Sequence, residues 1–124
     1  NFLKKRKFNY KKIYTKLKSI KHIKFQKIEK WAESSFWLYT FLVKKNSPIS
    51  KNDLIKRLEI NGVETRPIFY TLSSMKIYQK YIKKDSFPVS ENISKSGLSL
   101  PSFTDLTSTQ INYICEKIKK SFTH

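Results

Sequence analysis

The chain has 124 residues, the size of one small domain or of a part of a larger protein. Lys and Arg number 26 against nine Asp and Glu, a formal net charge of +17, while 39% of residues are hydrophobic and 15% aromatic. That apolar content excludes wholesale disorder, no apolar run has the length of a membrane-spanning helix, and the apolar residues at the start are too broken by Lys and Arg to read as a signal peptide. Cys115 stands alone, which excludes an internal disulfide framework and a cysteine metal cluster. The only glycines, Gly62 and Gly97, are too far apart to make a Gly-rich phosphate loop.

The elements follow in chain order. Tyr10, Ile13, Tyr14 and Leu17 keep the spacing of one helical face, and Leu3 extends the stripe by a heptad. The pattern is already under way at Asn1, which predicts the end of a longer helix. His22 to Ile28 reads as a short strand with Ile23 and Phe25 alternating. Ser35 to Val43 reads as the strongest strand, with Phe36, Leu38 and Leu42 on one face and Trp37, Tyr39, Phe41 and Val43 on the other. Both faces are apolar, so a central strand covered on both sides is expected.

After a loop at Pro48, Ser50 and Asp53 form a capping-box-like pair, Ile49 and Leu54 a hydrophobic staple, and Leu54, Ile55 and Leu58 a buried helical face that stops at Asn61-Gly62. Glu64 to Tyr70 is extended, and Pro67 confines it to an edge. Ser73 to Tyr81 is a short helix or a turn, Val89 to Ser96 a short helix ended by Gly97, and Leu98 to Pro101 a short strand. The last helix has a capping box at Thr107 and Gln110, a staple from Leu106 to Ile111, and one stripe of Ile111, Ile114, Cys115, Ile118 and Phe122. Together these predict an α+β (α/β) layer, a small mainly antiparallel sheet with packed helices.

Few residues carry chemistry. His22 and His124 have no evident partner, the carboxylates are scattered, and Cys115 sits on an apolar stripe. No metal-ligand spacing is present. The charge invites a nucleic-acid reading, but only Arg6, Arg57 and Arg66 are arginine, and the lysines are spread along the whole chain. Recognition of phosphates and bases favours clustered arginine, so a solvated lysine coat is the preferred reading. A stand-alone basic module for RNA or another anion is the alternative. Arg66, directly before Pro67, is the residue best placed to clamp a carboxylate or a phosphate. Tyr70 follows it, and Ser73 offers a hydroxyl for a sugar or for a helix cap.

An ordered set of short motifs resembles the C-terminal part of the DegT/StrS-type sugar aminotransferases. It comprises Gly62-Val63-Glu64-Thr65-Arg66-Pro67, then Phe69-Tyr70 and Leu72, then Phe87-Pro88-Val89-Ser90-Glu91. Gly97-Leu98-Ser99-Leu100-Pro101 follows, and Leu106-Thr107 and Tyr113-Ile114 close the set. The Glu-Thr-Arg-Pro version is most similar to the perosamine-synthase-like branch. Thr71 stands where the family has proline, and Ser73 where many members have histidine.

The resemblance implies the small C-terminal domain of an aspartate-aminotransferase-type fold. Residues 1–20 would end a linking helix from a large domain, and residues 21–124 would form the small domain. The parent would be a cytoplasmic, homodimeric, pyridoxal-phosphate-dependent transferase moving an amino group from glutamate to a 4-keto-6-deoxy sugar nucleotide. Arg66, Tyr70 and Ser73 would touch substrate. No catalytic residue or metal site is assigned, and the cofactor contacts are unassigned. The Schiff-base lysine is expected in the large domain, so the chain alone is expected to be inactive and to bind no cofactor. Nucleic acid and membrane are not expected partners.

Overall fold

The computed structural model describes residues 1–82 and 86–123, so His124 lies outside the described residues. The elements are α1 (Phe2–Leu17), β1 (Ile23–Phe25), β2 (Tyr39–Val43), α2 (Lys51–Ile60), β3 (Arg66–Pro67), a 3-10 turn (Leu72–Ser74), α3 (Lys76–Ile82), α4 (Pro88–Ser96), β4 (Gly97–Leu100) and α5 (Ser108–Thr123). The strands form one antiparallel sheet in the order β1-β2-β4-β3. This is the expected α+β class.

Alternation on β2 decides which face is core. Tyr39, Phe41 and Val43 are buried, while Thr40 and Leu42 are half-buried on the opposite face. Leu98 and Leu100 of β4 stand opposite Phe41 and Tyr39 and therefore share the core face. Ile13 and Leu17 of α1, Leu54 and Leu58 of α2, and Ile111, Ile114 and Ile118 of α5 complete one cluster with them. Truncating one of these large side chains to alanine costs about 2–5 kcal/mol.

The helix signals act as their spacing predicts. The Ser50 hydroxyl accepts from the Asp53 N–H at 3.1 Å and donates to its carboxylate at 2.7 Å. Gly62 ends α2 at φ +70°, a conformation that L side chains rarely adopt. At α5 the Gln110 Oε1 accepts from the Thr107 N–H at 2.9 Å, and the Thr107 hydroxyl accepts from the Gln110 N–H at 3.2 Å.

Four local expectations are revised. The strand expected from Ser35 starts at Tyr39, because Phe36 has φ 48° and cannot continue a ladder. That kink stacks the Phe36 ring on Tyr10, centroids 4.0 Å apart, and leaves Trp37 exposed instead of on the Tyr39 face. β1 is only three residues, Ile23–Phe25, because only Phe41 to Val43 pair with it. The buried line of α1 runs through Asn9, Ile13 and Leu17, whereas Tyr14 and Leu3 are exposed. Asn9 is tolerated there because its amide donates to the Thr104 carbonyl at 3.3 Å. Finally, β2 is central as expected, but its second face is covered only in part, by α4, and the remainder opens into a cleft.

Candidate anion-binding cleft

The register lays out the floor of the cleft. Thr40, Ser99 and Arg66 form one row across three strands, and Lys24, Leu42 and Gly97 form another. Neighbouring strands lie about 4.8 Å apart, so Thr40 and Arg66 are separated by roughly 10 Å across the sheet. Thr40 Oγ1 and Ser99 Oγ are hydrogen-bonded at 2.9 Å, a polar pair in a sheet that is otherwise apolar at its centre.

The cavity above this floor has a volume of about 1170 Å³. Lys24, Lys27, Lys51 and Arg66 line it, and among the described residues no carboxylate does. Lys27 pairs with Glu29 at 2.7 Å outside the lining. The aromatic wall consists of Phe25, Trp37, Phe69 and Tyr70, and Trp37 and Phe69 are stacked with centroids 6.5 Å apart and planes 29° from parallel. Cations beside flat aromatic surface suit a ligand with both an anionic group and a planar ring.

Arg66 reaches the cleft because β3 is the sheet edge and pairs Arg66 with Ser99, on the face away from the core. Its Nη2 donates to Glu64 Oε1 at 3.0 Å, and both side chains are largely exposed. Arg66, Leu38 and Ser99 also border a second cavity of about 630 Å³, into which Glu64, Thr109 and Tyr113 face. The guanidinium thus stands on the partition between the two.

Of the residues expected at a site, the structure brings Arg66 and Tyr70 to one cavity. Ser73 lies in the 3-10 turn, lines neither cavity, and donates its hydroxyl to Thr71 Oγ1 at 2.9 Å. Sequence reasoning missed Thr40, Ser99, Lys24, Lys51 and Trp37 as lining residues. Thr40 and Ser99 were detectable as lone hydroxyls at alternate positions in otherwise apolar strands. Lys24 and Lys51 had no such signal among so many lysines.

Two further reactive groups among the described residues, Cys115 and His22, pack into the structure. Cys115 is buried in the α5 stripe, and burial pushes its thiol up to about 11. The His22 ring stacks on Phe122, centroids 6.0 Å apart.

The same fold is found within solved aminotransferases. The aminotransferase TlmJ from Streptoalloteichus hindustanus matches 98% of this chain with a TM-score of 0.84 at 16% identity, over 32% of its own length. Helicobacter pylori PseC, an aminotransferase involved in the biosynthesis of pseudoaminic acid, matches 98% with a TM-score of 0.82 at 17% identity, over 33% of its length.

The sequence is more specific than the fold. The profile of the DegT/DnrJ/EryC1/StrS aminotransferase family matches residues 1–119, and the chain belongs to that family. GDP-perosamine synthase of Vibrio cholerae is 33% identical over 88 residues, 71% of this chain and 24% of the relative. The GDP-perosamine synthase of Escherichia coli O157:H7 is 30% identical over 89 residues, 72% of this chain and 23% of the relative. The chain thus spans about a quarter of the length of the curated relatives it matches.

Proposed function

We propose that this chain is the small C-terminal domain of a pyridoxal-phosphate-dependent sugar-nucleotide aminotransferase. In that reading the enzyme transfers an amino group from glutamate to a 4-keto-6-deoxy sugar nucleotide, and the chain forms one wall of the substrate cleft. The carrying observation is the cavity lined by Arg66, Lys24, Lys51 and stacked aromatic rings, in a chain of this aminotransferase family. Residues 1–20 end the linking helix and residues 21–124 form the domain proper. The full enzyme is a cytoplasmic homodimer.

The cofactor does not fit the residues of this cleft on their own. Among the described residues no carboxylate lines it to pair with a pyridinium nitrogen, and Arg66 already has an anionic neighbour in Glu64. No step through the cofactor is therefore assigned to this chain. Its contribution is to bind and orient the anionic substrate, with Arg66 as the main charge and Tyr70 at the rim, and to narrow access of water.

The test is titration of the chain with GDP, followed by amide and side-chain NMR. Shifts centred on Thr40, Ser99, Arg66 and Trp37, weakened by Arg66→Ala without loss of the folded spectrum, are expected. Absence of shifts at these positions sinks the cleft assignment. Tight, salt-steep RNA binding that GDP does not compete would favour the stand-alone basic module instead.

A further inference from the structure

Glu64 and Arg66 are two residues apart in an extended segment, so their side chains leave the same side of the edge. The single Nη2–Oε1 contact at 3.0 Å joins two side chains that are 78% and 77% exposed. Arg66 borders both cavities, whereas Glu64 lines only the smaller one. The cation expected to meet the ligand is therefore already held from behind by a tethered carboxylate. A one-point contact between exposed groups is too weak to act as a rigid brace. It is strong enough to matter as a competitor, because a group tethered this closely acts at an effective concentration on the order of millimolar.

We propose that Glu64 is an internal competitor for the anion site at Arg66, and that the anion admitted there is a phosphate of a nucleoside diphosphate in preference to a carboxylate. This rests on the cleft reading above. An incoming carboxylate exchanges like for like with Glu64 and gains little. A diphosphate carries more charge than a carboxylate and is drawn as well by Lys24 and Lys51, which line the same cavity. Glu64 thereby sets a threshold that single carboxylates, including free glutamate, do not pass at this arginine.

The experiment is calorimetric or NMR titration of the chain with pyrophosphate and, separately, with glutamate. It uses the wild type, Glu64→Gln, Arg66→Ala and the double variant. Both substitutions lie on exposed positions, and the folded amide spectrum checks each protein.

Glu64→Gln is expected to tighten pyrophosphate about two- to fivefold, the scale of an exposed ion pair, and to have no effect in the Arg66→Ala background. Pyrophosphate is expected to bind the wild type more tightly than glutamate does. Unchanged or weaker binding in Glu64→Gln, with Arg66→Ala still impaired, overturns the competitor role and leaves the cleft reading standing. Equal tightening in the Arg66→Ala background also overturns it, because a general field effect then suffices. Tighter binding of glutamate overturns the phosphate preference. Indifference of all four proteins to both probes overturns this proposal and the cleft reading together.

Discussion

Gly97 and Ile68 are packed so closely that a Cβ on Gly97 would lie 1.9 Å from Ile68 Cδ1 and 2.9 Å from the Ile93 carbonyl oxygen. The backbone of Gly97 is extended, at φ −93°, so the glycine is required by space and not by conformation. It lets α4 turn directly into β4 while the edge segment after β3 closes over it. The Ile68 N–H donates to the Gly97 carbonyl at 3.3 Å across the same contact. Gly97→Ala forces the edge segment outward. A loss of about 1–3 kcal/mol in urea unfolding is expected, together with weaker ligand binding through displacement of Arg66. Unchanged stability would mean that Ile68 moves aside freely.

The reciprocal Thr107–Gln110 pair caps α5, the helix that carries most of one wall of the core. Thr107→Ala and Gln110→Ala are each expected to cost about 1 kcal/mol. Together they should cost less than the sum, since each orphans the same exchange. Strict additivity in a double-mutant cycle would show that the two bonds act independently.

Cys115 keeps its proton in the folded state up to about 11, against an ordinary thiol value of 9.0. Burial is the dominant cause, with Lys16 and Lys119 pulling weakly the other way. Because the folded value is the higher one, the thiol costs nothing below the unfolded value. Stability then falls as pH rises from 9.0 towards 11. The stability difference between the wild type and Cys115→Ala should therefore shrink across that window, which urea unfolding at matched pH values measures. A thiol reagent should label the native chain at neutral pH only through unfolding. Fast labelling of native protein would contradict its burial.

Trp31 is 88% exposed, and Trp37 stands against Phe69 at the cleft. In a Trp31→Phe background the emission of Trp37 reports on the cleft alone. GDP is expected to change that emission saturably, and Phe69→Ala to weaken the response by removing the ring that stacks on Trp37. A Trp37 signal blind to GDP would separate the ring wall from the anion contacts.

The helices were legible because their signals are local. Capping needs residues three apart, and both Ser50–Asp53 and Thr107–Gln110 made the bonds their spacing predicts. The apolar stripes of α2 and α5 were likewise readable, since a helix repeats on itself. The edge position of Arg66-Pro67 followed from the missing proline N–H.

The errors fell where tertiary contacts outweigh local pattern. Apolar alternation from Ser35 gave no sign that Phe36 would kink onto Tyr10, a contact between residues far apart in sequence. On α1 the aromatic stripe suggested a buried Tyr14, but the core took the Asn9, Ile13 and Leu17 line because Thr104 offered a carbonyl to Asn9.

The sequence by itself determined the class of fold and the family resemblance, and it put Arg66 forward for test, because these rest on residue identity and short spacings. Only the tertiary structure decided that Thr40, Ser99, Lys24 and Lys51 share a cavity with Arg66, and that Ser73 does not line it. The cavity is assembled by strand register between segments dozens of residues apart. Pairing of that kind is fixed by the packing of the opposite, apolar face, and not by any pattern within a single strand.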